Sequence, residues 1–296
     1  MKLIQYSGNC HLNKVLKTSA SPSISLIVFL LATILIIPSF AFAELRKEYY
    51  PSGKLKLEQN YINGKREGIS QEYYKNGQLK EAGYWENDKL EGIAKGYYES
   101  GQLSGEVNYK NGKTEGIGKT YYESGQLERD VNFENGKKEG ISKAYYKSGQ
   151  LSGERNYKND KPEGIGKLYY ESGQLSGEVN YKNGKTEGIG KTYYESGQLE
   201  REENYLNGQM EGTLKTYYES GKLSGDVNFE NGKKEGIAKG YYKSGQLSVE
   251  GNYKNGKAEG IGKTYYESGQ LEREEIYSNG QMEGTLKTYY ESGKLL

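Results

Sequence analysis

The sequence predicts an all-β protein. It is expected to be an elongated antiparallel meander of β-hairpin repeats that forms a single twisted or curled, solenoid-like sheet, preceded by a signal helix. Tyr-Tyr pairs recur every 24 residues from Tyr49 to Tyr289 without an insertion, and a fixed period of this length indicates a repeat architecture. Each unit contains two short runs in which apolar and polar residues alternate, as in half-buried strands. Glycine and asparagine in turn-forming combinations separate these runs.

The first segment, residues 1–43, differs in composition from everything after it. A basic stretch without acidic residues precedes an apolar run from Ile24 to Ile37, and Ala41-Phe42-Ala43 follows. This order is typical of a secretory signal peptide, and it predicts cleavage after Ala43. The alternative is an uncleaved N-terminal membrane anchor formed by residues 24–43, although the apolar run is shorter than the roughly 20 residues that span a bilayer. We therefore expect an exported chain, located in the periplasm, at the cell surface or in the medium.

The second segment, residues 44–296, is interpreted as tandem 24-residue hairpins that end in a half repeat. In a typical unit the first strand is expected at 93–98 and the second at 103–109, because Tyr, Ile and Val favour strands. Eleven first strands and ten second strands give 21 strands. At roughly 4.8 Å per strand, an uncurled sheet of this size would be about 100 Å long.

Two kinds of turn connect the expected strands. Residues 99–102 (Glu-Ser-Gly-Gln) form a short glycine-bearing hairpin loop within the repeat. Asn111-Gly112 links one repeat to the next, and both residues accept the positive φ of a two-residue hairpin turn. Asn-Asp replaces this pair at 87–88 and 159–160, which still favours a turn.

Alternation within each strand predicts how side chains divide between the two faces of the sheet. One side of the second strand carries Leu103, Gly105, Val107 and Tyr109, and one side of the first strand carries Ile93, Lys95 and Tyr97. We expect one face to hold a ladder of Leu, Ile and two aromatic residues per repeat, and the other a thinner line of Tyr among small and charged groups. A face this apolar requires cover from curling of the sheet, from a partner, or from both.

Composition argues against several classes of function. The only cysteine and the only histidine are Cys10 and His11, both in the leader, so we expect no metal site, no cofactor and no nucleophile–histidine pair in the mature chain. Removal of the leader, which holds three of the 41 Lys and Arg residues, leaves 38 basic and 40 acidic residues. This balance disfavours nucleic acid as a partner. A glutamate recurs before glycine every 24 residues, as at Glu91, and is expected to be a turn or solvated-edge residue, because active sites are singular.

Tyrosines are the candidate interaction residues. Each repeat has a tyrosine pair and a third aromatic position, which Trp85, Phe133 or Phe229 fills where Tyr does not. The candidate ladder consists of Tyr97, Tyr98, Tyr109, Tyr121, Tyr122, Tyr145, Tyr146, Tyr169, Tyr170, Tyr193, Tyr194, Tyr217 and Tyr218. Such rings pack and also offer a platform for protein or sugar. Lys95 and its equivalents are expected to pair with Glu of the next strand, or alternatively to form a track for an anionic polymer or lipid headgroups.

The repeat resembles a known family. Its signature reads Tyr73-Tyr74-x-Asn-Gly77-Gln-Leu79, then an aromatic residue, Asn-Gly-Lys and Glu-Gly-Ile, and it covers residues 45–296. This pattern is similar to the MORN-repeat-variant family, the modules of YwqK-type bacterial antitoxins. The resemblance implies an elongated sheet of hairpins used for protein contacts or, in some members, for membrane association. More loosely, the repeat looks like the choline-binding repeats of cell-wall proteins, which are richer in Trp.

The expected function is that of an exported, non-enzymatic repeat scaffold that mediates protein–protein interaction at the cell envelope. Contacts spread over many equivalent repeats would bind through avidity. Two alternatives remain open. The first is an antitoxin or immunity-type protein that binds a toxin, although the export signal of this chain differs from a cytosolic antitoxin. The second is a cell-wall carbohydrate-binding module. A membrane surface is a further alternative partner.

Overall fold

The computed structural model describes residues 42–296, which form one antiparallel sheet and contain no helix. The predicted all-β meander is confirmed, and the signal helix lies outside the described residues. The strands are β1 (Ala43–Tyr49), β2 (Leu55–Ile62), β3 (Lys65–Tyr73), β4 (Leu79–Glu86), β5 (Lys89–Tyr97), β6 (Leu103–Lys110), β7 (Lys113–Tyr121), β8 (Leu127–Glu134), β9 (Lys137–Tyr145), β10 (Leu151–Lys158), β11 (Lys161–Pro162), β12 (Gly164–Tyr169), β13 (Leu175–Lys182), β14 (Lys185–Tyr193), β15 (Leu199–Leu206), β16 (Gln209–Met210), β17 (Gly212–Tyr217), β18 (Leu223–Glu230), β19 (Lys233–Lys234), β20 (Gly236–Tyr241), β21 (Leu247–Lys254), β22 (Lys257–Ala258), β23 (Gly260–Tyr265), β24 (Leu271–Ser278) and β25 (Gln281–Thr288).

Each strand pairs with the strand that follows it along the chain. Four first strands are interrupted at a single glutamate, as at Glu163 between β11 and β12, and both pieces still pair with the same neighbour. Counted as one strand each, they bring the total to the 21 that were predicted. The first strands begin about four residues earlier than expected, directly after the turn. Within residues 42–296 the sheet is open, because β1 pairs only with β2 and β25 only with β24.

The turns between repeats have the predicted geometry. Asn111 and Gly112 have φ of 53° and 77°, and Asn87 and Asp88 have φ of 49° and 65°. Both pairs therefore form two-residue turns with positive φ at each position, whose twist matches that of the flanking strands. The aspartate variant is accommodated because short polar side chains tolerate the left-handed region.

The loop within each repeat sets the pairing of its two strands. The Tyr98 amide donates to the Gln102 carbonyl and the Gly101 amide donates to the Tyr98 carbonyl, both at 2.8 Å, and Gly101 has a φ of 89°. This is a three-residue loop that ends in a left-handed glycine. One extra residue, Ser104, then follows on the second strand, so the register shifts between the Gly96 and Tyr97 pairs.

That bulge overturns one sequence-based expectation. Counting back from the Tyr97–Leu103 pair without a bulge would place Ile93 opposite Val107, on a shared face. In the structure Ala94 lies opposite Val107, and Ile93 lies opposite Asn108. The prediction of a single face with Leu, Ile and two aromatic residues is therefore wrong, because one inserted residue moves a whole set of side chains to the other face.

Packing in this single-layer sheet is thin. Among the described residues only Phe229 is a buried hydrophobic side chain, at 9% exposure, and no side chain is fully enclosed. Hydrophobic stabilisation scales with the apolar area removed from water, so little of it comes from a central core here. The repeats are instead held together by contacts between neighbours that recur at fixed sequence offsets.

The first recurring contact is made by the second tyrosine of each pair. Its hydroxyl donates to the backbone carbonyl of the first tyrosine in the next repeat, 23 residues later, at 2.5–2.8 Å. The donors are Tyr50, Tyr74, Tyr98, Tyr122, Tyr146, Tyr170, Tyr194, Tyr218, Tyr242 and Tyr266. These hydroxyls are committed to joining consecutive repeats.

The second recurring contact is made by the glutamate that precedes glycine. Glu91 Oε2 accepts the backbone N–H of Asn111, at the start of the next turn, at 2.7 Å. Eight further glutamates make the same bond 20 residues ahead, at 2.8–3.0 Å. The recurring glutamate is therefore a turn residue, as the sequence indicated.

Candidate interaction site

One face of the sheet is lined by the third aromatic position, and we call it the aromatic face. It is formed by Gly105, Val107 and Tyr109 on the second strand, by Ala94 and Gly96 on the first strand, and by their equivalents in the other repeats. Concave grooves of about 730, 460 and 370 Å³ lie along this face, and each collects side chains from several consecutive strands.

Small residues on the first strand make room for the aromatic rings. A Cβ atom at Gly118 would lie 3.0 Å from the Phe133 ring and 3.1 Å from Val107. Gly166 and Gly190 stand in the same relation to Tyr181 and Tyr205, at 3.1 and 3.2 Å. The rings therefore lie against the backbone of the neighbouring strand and form the floor of the groove.

The opposite face carries a row of exposed isoleucines, and we call it the isoleucine face. These side chains are 49–59% exposed, and six of the eight lie opposite an asparagine, as Ile93 does opposite Asn108. The row consists of Ile69, Ile93, Ile117, Ile141, Ile165, Ile189, Ile237 and Ile261. Successive members within adjacent repeats are two strands apart, or about 10 Å. Thr213 occupies the position in the one interior repeat without isoleucine.

Charges alternate along the isoleucine face. From Lys95 to Lys287 every rung of the ladder places a lysine opposite a carboxylate of the neighbouring strand. Three of these pairs approach within 3.8–3.9 Å, including Lys95–Glu106. The expectation that these lysines pair across strands is thereby confirmed. A row of alternating sign is a poor track for an anionic polymer.

The first tyrosine of each pair supports this charge ladder. Six of them donate a hydrogen bond to the ladder carboxylate 15 residues earlier, at 2.8–3.3 Å, as Tyr265 does to Glu250. Burial, followed by the bond to Glu250, raises the pKa of Tyr265 to about 12. The hydroxyl proton is thus held by the carboxylate at neutral pH.

The candidate tyrosine ladder therefore separates into three rows. Tyr97, Tyr121 and their equivalents lie on the isoleucine face, Tyr98 and its equivalents join repeats at the loop, and Tyr109 belongs to the aromatic face. Only the last row leaves its rings available on the groove floor. Ala43, the predicted cleavage position, is the first residue of β1 and pairs with Ile62.

The repeat pattern does not predict the arginines of the aromatic face. Arg129, Arg155, Arg201 and Arg273 occupy positions on the second strand that are glycine or valine in a typical unit. Two of them form polar clusters: Arg201 with Glu203 and Tyr205, and Arg273 with Glu275 and Tyr277 72 residues later. Burial, followed by the bond to Glu203, raises the pKa of Tyr205 to about 12.

Two general features complete the description of residues 42–296. No cluster of three or more His, Cys, Asp or Glu side chains in this range is arranged to hold a metal ion. The range also contains no helix that could cross a lipid bilayer.

The repeats match a known family over nearly their whole length. The sequence profile of the MORN repeat variant fits eleven consecutive segments: 45–63, 66–87, 90–111, 114–135, 138–159, 162–183, 186–207, 210–231, 234–255, 258–279 and 282–296. The chain belongs to the MORN repeat variant family. Each complete MORN segment starts in one first strand and ends at the asparagine of the next turn, which is the unit that the hydrogen bonds join.

Comparisons with other proteins add little to this assignment. No curated protein matches the chain. Among solved structures, it is similar to the TcdB2–TccC3 complex, to TcdB2–TccC3–Cdc42 and to the Photorhabdus luminescens Tc holotoxin pore, at 13–14% identity and a TM-score of 0.19. The match covers 86% of this chain and 17% of those chains. Superposition this poor supports no argument about function.

Proposed function

We propose that the chain is an exported, non-enzymatic MORN repeat scaffold that binds a protein partner at the cell envelope. The observation that carries the proposal is the isoleucine row. Its side chains are about half exposed and contribute little to packing, yet they recur in register. Exposed apolar groups in a continuous line are typical of protein interaction sites.

The regular spacing of the isoleucines favours multivalent binding of one partner. A partner that contacts several isoleucines about 10 Å apart gains from each of them, and the contacts act together on one rigid sheet. The alternating charges alongside would suppress partners of the wrong register while adding little net attraction. Affinity should therefore decline in steps as isoleucines are removed.

A capture experiment tests the proposal. The full-length chain with a C-terminal tag is expressed in its producing cells, the cells are fractionated, and bound proteins are recovered from the envelope fraction. The matched variant is Ile141→Thr/Ile165→Thr/Ile189→Thr, since Thr213 already occupies this position in the native sequence. We expect the tagged chain in the envelope fraction and a stoichiometric partner whose recovery falls at least about tenfold in the variant.

Other outcomes would support the alternatives. Recovery of a toxin that the chain neutralises in a one-to-one complex would support an antitoxin, and retention on purified cell wall would support a carbohydrate-binding module. A chain found entirely in the cytosol, or a partner captured equally by the threonine variant, would contradict the proposal.

A further inference from the structure

Two arginines of the aromatic face lack the carboxylate partner that every other described arginine has. Residues 42–296 contain six arginines, and four of them form ion pairs: Arg46–Glu44, Arg66–Asp88, Arg201–Glu203 and Arg273–Glu275. Within the described residues, Arg129 and Arg155 form no ion pair within 4.0 Å.

These two arginines are close neighbours. Arg129 on β8 and Gly153 on β10 both lie opposite Ala144, and Arg155 is two residues further along β10. Two strand spacings and two residues along a strand place the Cα atoms on the order of 12 Å apart. Since side chains at alternate positions share a face, both guanidinium groups lie on the same side of the sheet.

Both arginines line the same groove. It has a volume of about 460 Å³, and its walls include Tyr157, Val179 and Tyr181. The Arg155 guanidinium carbon lies 4.7 Å from the centre of the Tyr181 ring, which holds the side chain in place while its hydrogen-bond donors stay free. Lys138 on β9 lies beside the groove, with its Nζ 5.3 Å from the centre of the Tyr157 ring, and its backbone N–H donates to Asp160 Oδ1.

The acidic side chains that line this groove already have cationic partners. Glu203 lies at one end of it and forms an ion pair with Arg201. The ladder carboxylates of Asp130, Glu154 and Glu178 pair with lysines on the isoleucine face and accept tyrosine hydroxyls there. Glu128, beside Arg129 at the bulge, forms no ion pair with it. The end of the groove at Arg129 and Arg155 therefore carries positive charge that no carboxylate neutralises, whereas Arg201 and Arg273 are neutralised by Glu203 and Glu275.

We propose that this section of the groove binds an acidic segment of a partner protein, with Arg129 and Arg155 each receiving a carboxylate. Arg presents a planar fork of donors that matches a carboxylate. Apolar side chains between the acids would contact Val179 and the tyrosine rings. A concave groove favours a peptide over a planar lipid surface, because only a chain can enter it. This site lies on the face opposite the isoleucine row and does not depend on the function proposed above.

Fluorescence anisotropy with a defined probe tests the proposal. The probe is a fluorescein-labelled peptide of about twelve residues in which Glu alternates with Leu, long enough to cross the two arginines in extended form. Its comparison peptide has Gln in place of Glu. We expect the acidic probe to bind, the Gln peptide to bind at least about tenfold more weakly, and Arg129→Gln/Arg155→Gln to lose about tenfold. Arg273→Gln is the matched control, because Arg273 pairs with Glu275 outside this groove, and it should change affinity less than about twofold.

A charge-reversal variant distinguishes a specific loss of binding from misfolding. Arg129→Glu/Arg155→Glu should lose the acidic probe and gain binding of the corresponding Lys–Leu peptide, which an unfolded chain would not do selectively. The inference is overturned if the acidic probe does not bind, if the Gln peptide binds equally, or if Arg273→Gln matches the double variant. It is also overturned if inorganic phosphate or phosphatidylglycerol vesicles bind with the same arginine dependence and displace the peptide at lower concentration.

Discussion

The tyrosine hydroxyl that joins neighbouring repeats is open to a direct test at Tyr146. Its hydroxyl donates to the Tyr169 carbonyl at 2.7 Å in a partly buried position. Tyr146→Phe removes this donor and keeps the ring. Any loss of stability is therefore attributable to the hydrogen bond between two consecutive repeats.

The expected cost of Tyr146→Phe is about 1 kcal/mol. A neutral intramolecular hydrogen bond contributes a net of roughly 0.5–1.5 kcal/mol, and removal of one partner leaves a half-buried carbonyl without this donor. A cost of about 1 kcal/mol corresponds to a roughly fivefold larger opening constant. In a stacked array the loss is confined to the affected interface and its neighbours.

Amide hydrogen exchange measures this local opening. The Gly149 amide, which donates within the same loop, should exchange about fivefold faster in Tyr146→Phe, and amides several repeats away should not change. The control is Tyr157→Phe, because Phe133 and Phe229 occupy this position naturally. Its expected effect lies within about 0.5 kcal/mol of zero. Equal effects of the two variants, or a change spread over the entire chain, would refute the reasoning.

Three further predictions concern the turns and the buried hydroxyls. Glu163→Ala removes the acceptor of the Asn183 amide at 2.8 Å and should cost about 0.5–1.5 kcal/mol in urea unfolding, whereas Glu171→Ala in the adjacent loop should be neutral. Gly112→Ala places a Cβ atom at a φ of 77° and should cost about 1–2 kcal/mol, whereas Gly112→Asp should cost less because aspartate occupies this turn position in two other repeats. The Tyr205 pKa of about 12 lies above the value of 10.0 for a free tyrosine, so the stability that this group contributes is complete below pH 10 and is lost as pH rises towards 12. Ultraviolet titration of tyrosinate should lose one late component in Tyr205→Phe.

Each of these predictions has a clear contrary result. A Glu163→Ala variant as stable as Glu171→Ala would mean that the carboxylate bond does not join repeats. An equal loss of stability for alanine and aspartate at position 112 would show that side-chain polarity plays no role in the turn. Titration of Tyr205 at the value of a free tyrosine would show that neither burial nor Glu203 holds its hydroxyl proton.

Much of the fold could be predicted from the sequence because its determinants are local. Asn111-Gly112 fixes a two-residue turn by backbone conformation alone, and the 24-residue period then repeats that turn through the chain. The face on which Ile93 lies could not be predicted in the same way. It depends on a one-residue bulge at Ser104, and a bulge leaves the alternation within each strand unchanged.

Contacts between repeats were missed for a different reason. The carbonyl that accepts the Tyr98 hydroxyl belongs to Tyr121, in the next repeat, so no local pattern shows the bond. A signal was nevertheless present: the tyrosine pair is Tyr-Tyr in all eleven copies, whereas the third aromatic position also accepts Trp and Phe. A hydroxyl required at one position and optional at another indicates a hydrogen bond at the first.

The candidate site was only partly predictable. The aromatic rows follow from the repeat, but the importance of Arg129 and Arg155 depends on which arginines have acidic partners. Arg201 and Arg273 stand in similar sequence contexts and acquire partners only because Glu203 and Glu275 occupy the position of Val107. The net charge of each part of the groove therefore depends on which charged residues several neighbouring strands bring together.

Removal of residues 192–263 tests most directly whether the molecule is an array held together by contacts between neighbours. This deletion joins Lys191 to Thr264 and restores the native sequence across the junction, because residues 187–203 and 259–275 are identical. We expect the shortened chain to fold with the same exchange protection in each remaining repeat and, in small-angle scattering, to be shorter by up to about 30 Å, or six strands. Loss of protection in repeats far from the junction would contradict the account.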